Sequence, residues 1–263
     1  MPRSTLLAAT LLLGVIASPC DAQPFIDAFR VDAYQAAPGT SFVATVTLES
    51  SDLHQGFSFG LASDPSIVTP IEIAIADEFV QTLIGGVPAF FQIDFVDGGI
   101  TVGMVYGLSH SGSNLPAGEF EAIDVTYEVL PGTVGLTSPL ELSNDLGVPS
   151  VSAVLVQFSA SIIPVLENGS LTVLPGFRRG DCNLDAVFDI ADAIHLFDAL
   201  FVPPAPTLAC LDGCDANDDG VIDLADGISI LDALFTGGAI PAPTMCGVDP
   251  TADPLDCAVA GGC

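Results

Sequence analysis

The sequence predicts a mainly β protein, a two-sheet sandwich followed by a small α-helical unit, and three observations carry that prediction. Apolar and polar residues alternate with a period of two through much of residues 25–173. After Pro175 the period moves to between three and four, and cysteine and aspartate become frequent. Within that last third, a shift of 34 positions lays the chain upon itself. The boundaries that follow are residues 1–22 as a leader, 23–174 as the sandwich, 175–180 as a linker, 181–238 as the repeated unit and 239–263 as a cysteine-bearing tail.

At 263 residues, half of them apolar, the chain is long enough for one medium domain and a small one. Its first residues have the plan of an export signal. Arg3 supplies a positive end, residues 6–16 an apolar run, and Cys20-Asp21-Ala22 a small-residue cleavage site before Gln23. The run is too short to span a bilayer, and Pro19 and Pro24 stop its continuation as a helix. Ala17-Ser18-Pro19 lacks the large aliphatic residue of a lipid-attachment signal. No later segment is apolar for the length of a membrane span. The expected product is secreted and soluble.

The formal charge is −29, and removal of Arg3 with Asp21 leaves it there. Lysine is absent, so Arg30, Arg178 and Arg179 are the only basic residues beyond the leader. Such a chain repels nucleic acid and anionic membrane surfaces, so neither is an expected partner. It attracts cations.

The sandwich elements follow in order. Phe42, Ala44, Val46 and Leu48 face one way and Val43, Thr45, Thr47 and Glu49 the other. Phe57, Phe59 and Leu61 repeat the pattern, as do Phe91, Ile93 and Phe95. Asp97-Gly98-Gly99 then supplies residues tolerant of positive φ ahead of a strand over 100–105, a hairpin signal. Ile123, Val125, Tyr127 and Val129 form a further strand, stopped by Pro131-Gly132. Strands of this length with polar loops and almost no helical periodicity indicate two packed sheets.

Beyond Leu174-Pro175-Gly176 the remaining cysteines, Cys182, Cys210, Cys214, Cys246, Cys257 and Cys263, crowd into the final third. An even number in a small region of an exported chain reads as a disulfide framework with fifteen possible pairings. Zinc is the competing reading, but Cys210 and Cys214 have no second ligand pair at comparable spacing.

The repeat matches Asp181, Asn183, Asp185, Val187, Asp189 and Asp192 with Asp215, Asn217, Asp219, Val221, Asp223 and Asp226. It runs on through Ile194 and Ile228 to an identical Asp-Ala-Leu-Phe ending at Phe201 and Phe235. Oxygen-bearing side chains thus stand at positions 1, 3, 5, 9 and 12 of each twelve-residue loop, 181–192 and 215–226. Calcium, a hard cation, takes six to eight oxygens, and such a loop supplies side chains at 1, 3, 5 and 12, the carbonyl of 7 and a water held by 9. The expectation is two calcium ions, the first held by Asp181, Asn183, Asp185, the Val187 carbonyl, Asp189 and Asp192. The second is held by Asp215, Asn217, Asp219, the Val221 carbonyl, Asp223 and Asp226. Four carboxylates in each loop repel one another without a cation, so binding and folding are expected to be coupled.

Position 6 needs a sharp turn; the second loop has Gly220 there and the first has Ala186, so the first site is expected to be weaker or strained. Pro175-Gly176 and the run Pro203-Pro204-Ala205-Pro206 leave no room for a helix ahead of either loop. After them, Ile194, Phe197, Leu200 and Phe201, then Ile228, Leu231, Leu234 and Phe235, mark apolar faces expected to pack together.

A duplicated loop-helix unit, with aspartate instead of glutamate at position 12 and no leading helix, resembles a type I dockerin across residues 180–237. The resemblance implies docking into a cohesin domain and attachment to a multi-protein, often polysaccharide-degrading, assembly. The N-terminal region resembles a cohesin-like sandwich, through Gly39-Thr40-Ser41-Phe42, Gly56-Phe57-Ser58-Phe59-Gly60-Leu61 and Asp64-Pro65-Ser66. Further matches are Leu115-Pro116-Ala117-Gly118 and Asn168-Gly169-Ser170-Leu171-Thr172-Val173. The chain departs from cellulosomal dockerins at loop positions 10 and 11, where Ile190-Ala191 and Leu224-Ala225 replace small hydroxyl residues. It departs again where Phe197-Asp198 and Leu231-Asp232 replace later basic residues, so its partner differs from a cellulosomal cohesin. Cys182 and Cys214 each adjoin the first residue of a loop, and a bridge between them is the expected pairing.

Catalytic motifs are weak. Gly56-Phe57-Ser58-Phe59-Gly60 fits the serine-hydrolase pattern, but that motif works on a strand-to-helix turn, and here it reads as strand. His54, His110 and His195 are isolated and read as surface residues. No zinc-protease or phosphate-loop motif occurs. The leading expectation is a noncatalytic, calcium-dependent adaptor whose partner is a cohesin-type or other protein. A carbohydrate-binding module is the alternative, disfavoured by the absence of tryptophan, with polysaccharide as its partner. A small glycoside hydrolase working through an acid pair ranks last.

Overall fold

The computed structural model describes residues 25–82, 87–106, 114–158 and 160–257. The leader, His110 and Cys263 lie outside them. Along the chain run β1 (Ala28–Val31), β2 (Ala33–Ala36), β3 (Ser41–Ser50), β4 (His54–Ser63), β5 (Val68–Ile75) and α1 (Asp77–Thr82). Next come β6 (Phe90–Val96), β7 (Gly99–Val105), β8 (Gly118–Val129), β9 (Thr137–Ser143), β10 (Val154–Gln157), β11 (Ala160–Ile162), β12 (Val165–Glu167) and β13 (Gly169–Val173). The remainder holds α2 (Ile190–Phe201), α3 (Leu211–Cys214) and α4 (Leu224–Phe235).

Two sheets form the sandwich. One is ordered β12-β1-β3-β8-β5; the other is β11-β10-β4-β9-β13-β2, with the β6–β7 hairpin joined to β4. The pairing is antiparallel except for β1 with β12 and β13 with β2. The alternation read from the sequence puts Ala44, Val46 and Leu48 of β3, and Phe57, Phe59 and Leu61 of β4, into one core with Phe29, Val125 and Tyr127. Phe29 meets Phe57 and Phe59 at centroid distances of 5.9 and 5.2 Å. Along β8 both Ala122 and Ile123 are buried, because the register against β3 shifts between Val46 and Thr47. Such a bulge inserts one residue and breaks strict alternation.

The hairpin turns where expected. Val96 pairs with Gly99 across Asp97 and Gly98, and Gly98 has φ +77°. Gly99 admits no side chain, since a Cβ there would stand 2.1 Å from the Leu61 carbonyl oxygen. β6 is an outer strand whose Phe95 is exposed, so only Phe91 and Ile93 of the expected face pack on the core.

Two features were not legible in the alternation. α1 is a short helix whose Phe79 seals the core against Phe57, Tyr106 and Phe120. His54, expected on the surface, is fully buried as the first residue of β4, between Tyr106 and Phe120. Its backbone exchanges hydrogen bonds with Leu115 on both sides, which draws the ring inward. Ser58 lies within β4, paired with Gly103 and Val154, and not on a strand-to-helix turn.

In the C-terminal unit α2 and α4 pack on each other, as expected, but by a narrower face. Ala193, Leu196 and Ile230 are buried, with Phe197, Leu200, Leu231 and Leu234 packed beside them. Ile194, Phe201, Ile228 and Phe235 instead point to solvent. The second loop is preceded by the single turn α3, where the proline run predicted no helix; that run ends at Pro206, leaving 211–214 free to form a turn capped by Cys210. Cys182 bridges to Cys214, the expected pair, and Cys210 to Cys257. Phe177, inside the stretch read as a linker, is buried against the second bridge. Disulfides of this density fit an oxidising compartment. Among the described residues no helix is long and apolar enough to cross a membrane.

Burial holds the His54 ring pKa down at about 4, against a weaker upward pull from the Asp52 carbonyl. Above the ordinary histidine value both folded and unfolded chains carry it neutral; as pH falls from about 6.5 to about 4 the unfolded chain takes the proton first. Folding stability is therefore lost on acidification across that window, by about 3 kcal/mol from this group. Denaturant titrations of His54→Phe and the parent at a series of pH values should show the parent losing ground steadily below pH 6.5 or so. A difference independent of pH would contradict the buried, neutral ring.

Candidate metal centres

The twelve residues expected to hold calcium fall into two loops with the same hydrogen-bond pattern. In the first, Asp181 accepts from the N–H groups of Asp185 at 3.1 Å and Ala186 at 2.9 Å. In the second, Asp215 accepts from Asp219 at 3.2 Å and Gly220 at 2.8 Å. Asp192 accepts from Asn183 and Asp189, and Asp226 from Asn217 and Asp223. Asn183 contacts Asp185 as Asn217 contacts Asp219. The N–H groups of Val187 and Val221 bond to Asp185 and Asp219. That is the turn that would leave their carbonyls free for an ion.

The last of the expected ligand positions also start the helices. Asp189 and Asp192 form a reciprocal capping box on α2, and Asp223 and Asp226 on α4. One short side chain thus serves two purposes, satisfying helix N–H groups and offering carboxylate oxygen to the loop. Asp181, Asp192, Asp215 and Asp226 are wholly buried. Burial pushes the Asp192 carboxyl up to about 6, opposed by the Asp189 and Asn183 N–H groups and reinforced by Asp181 and Asp185. Asp226 is likewise pushed to about 6, by burial first and by Asp215. A divalent cation beside them would remove that penalty.

Position 6 takes the left-handed conformation in both loops, with φ +68° at Ala186 and +77° at Gly220. Glycine adopts it freely, whereas alanine there costs about 1–2 kcal/mol. The strain anticipated in the first loop is therefore present in its backbone.

Sequence reading missed the groups that join the loops to the tail. Arg179 is fully buried and donates to the carbonyls of Asp215 at 2.9 Å, Asp212 at 3.3 Å and Ala242 at 2.9 Å. It pairs with Asp218 at 2.9 Å and Asp249 at 2.6 Å. The available signal was scarcity, since an arginine beside Asp181 is one of three basic residues after the leader. Among the described residues, acidic triads with oxygens all within 4.8 Å of one another are Asp212, Asp249, Asp253 and Asp215, Asp218, Asp253. Asp215 is the one expected ligand in either triad, and the expected carboxylates of neither loop form such a group among themselves.

No family model and no curated protein matches the chain. Among solved structures it is similar to the sixth cohesin of scaffoldin B from Acetivibrio cellulolyticus, at 16% identity and TM-score 0.45, over 57% of this chain and 98% of that one. It is also similar to a non-cellulosomal cohesin from the archaeon Archaeoglobus fulgidus, at 15% identity and TM-score 0.43, over 57% and 91%. A third is CaCohA2 from Clostridium acetobutylicum, at 12% identity and TM-score 0.46, over 57% and 91%. The two-sheet architecture stands on this chain's own strand pairing.

Replacing Ala186 by glycine should strengthen calcium binding at the first loop by about fivefold, the release of roughly 1 kcal/mol of backbone strain. Gly220→Ala should weaken the second loop by a similar factor. Calorimetric titration of the two variants checks this; equal and unchanged affinities would contradict it.

Proposed function

We propose that the protein is a noncatalytic, calcium-dependent adaptor, whose repeated C-terminal unit docks onto a protein partner of the cohesin type. Two calcium ions would be held by the twelve residues named above, six in each loop. The dockerin resemblance supports this reading, and so do the identical hydrogen-bond patterns of the loops. The cohesin-like sandwich would supply a second point of attachment.

The observation that carries docking is a duplicated apolar surface. Val187 and Val221, Ile190 and Leu224, Ile194 and Ile228, and Phe201 and Phe235 are pairs related by the repeat, all between 49% and 68% exposed. Exposed apolar side chains repeated in register mark interaction surfaces more than solubility. Ile190 and Leu224 occupy loop position 10, so that departure from cellulosomal dockerins lies on this surface. An apolar partner surface would suit it, in place of one that reads hydroxyl and basic groups. Calcium would act indirectly, by setting the loops from which α2 and α4 spring.

Immobilised full-length protein should retain a partner from the secreted proteins of its own cells in calcium and release it in chelator. The doubly substituted Ile194→Ser, Ile228→Ser protein should bind that partner at least about tenfold more weakly, with folding stability changed by less than about 0.5 kcal/mol. A partner held equally with chelator or by the double variant would refute the docking surface.

A further inference from the structure

Asp212, Asp249 and Asp253 lie outside both loops. Asp212 belongs to the turn α3, and the other two come from the tail. Their carboxylate oxygens are all within 4.8 Å of one another. Asp212 is 6% exposed, and its Oδ1 is buried with no hydrogen-bond partner. Oδ2 of Asp253 is buried and unpartnered in the same way. The opposite oxygen of Asp253 accepts from the Leu255 N–H at 2.7 Å. Oδ1 of Asp249 accepts from Arg179 at 2.6 Å and from the Thr251 N–H at 3.1 Å. Each tail carboxylate is thus aimed by its own backbone turn. A pocket of about 190 Å³ opens beside the three, bordered also by Phe177, Val248 and Thr251.

Buried carboxylate oxygens without a donor or a counter-charge are strongly unfavourable. Arg179 does not neutralise the group alone, because the same guanidinium nitrogen also pairs with Asp218. A ligand set of oxygens only, converging from α3 and the tail on a pocket open to water, matches a hard divalent cation that keeps part of its hydration. We infer that Asp212, Asp249 and Asp253 form a third cation site, of calcium type, distinct from the two loops. Bound there, the ion fastens the tail to the second loop. Asp253 also lies within 4.8 Å of carboxylate oxygens of Asp215 and Asp218, and its Cβ stands 3.5 Å from where a Cβ on Gly220 would be.

Bound calcium per full-length chain, measured after equilibrium dialysis against calcium, tests this whatever the loops hold. Asp253→Asn should carry one equivalent fewer than the parent, and Asp212→Asn should do the same. If Asp212→Asn does not fold, the half-buried Asp253 decides. The double variant Asp215→Asn, Asp253→Asn separates this site from the second loop, and should carry one equivalent fewer than Asp215→Asn alone. Equal counts for those two proteins would show that Asp253 only assists the loop, and overturn the third site. An unchanged count in Asp253→Asn, as expected if Asp212 is simply held protonated, would overturn it too.

Discussion

The Arg179 guanidinium is wholly withdrawn from solvent and ties together three stretches of chain that have few apolar residues to share. It reaches the carbonyls at the start of the second loop, the carbonyl of Ala242 and the carboxylates of Asp218 and Asp249. Because it directly precedes Gly180 and Asp181, it also fixes where the first loop begins. Buried charge is tolerated only when paired and hydrogen-bonded on most of its donors, and here the donors are used. The unit around it is small, so disulfides take on work that a larger core would do. One bridge joins the two loops at Cys182 and Cys214, the other joins α3 to the tail.

Cation scarcity governs the rest. After the leader only three arginines face a large excess of acid, and each has a specific place. Arg30 spans Glu49, Glu119 and Glu167 on the five-stranded sheet, and Arg178 lies over the Phe188 ring. Arg179 pairs with Asp218 of the second loop, but among the described residues no arginine pairs with Asp181, Asp192, Asp215 or Asp226. Backbone N–H groups orient Asp181, Asp192, Asp215 and Asp226 but leave their charge uncompensated, which is the physical ground for the calcium proposal.

Much of the sandwich was legible because alternation is a direct consequence of the strand's two faces. Ala44, Val46 and Leu48, or Phe57, Phe59 and Leu61, need only be buried on one side to be recognised. The pattern fails where geometry departs from two faces, as at the bulge beside Ala122, or where an element is too short to show a period, as in α1 and α3. The repeat was legible because matched residues 34 positions apart form matched turns, with the same backbone donors on Asp181 and Asp215. The helix faces were read too broadly: Ile194 and Phe201 have helical spacing with the packed residues yet lie outside the narrow contact of two short helices. Arg179 and the tail aspartates were not legible, because their meeting depends on long-range chain path and leaves no local period.

One half of the protein is held by an extended apolar core, and the other combines small apolar clusters and two disulfides with buried, uncompensated acid. The separation predicts that the halves respond differently to the removal of divalent ions. Amide hydrogen exchange of the full chain, with calcium and after chelation, measures this directly. Protection should collapse across residues 181–235 on chelation while β3, β4 and β8 keep theirs. Protection of 181–235 that is the same with and without calcium would contradict the account.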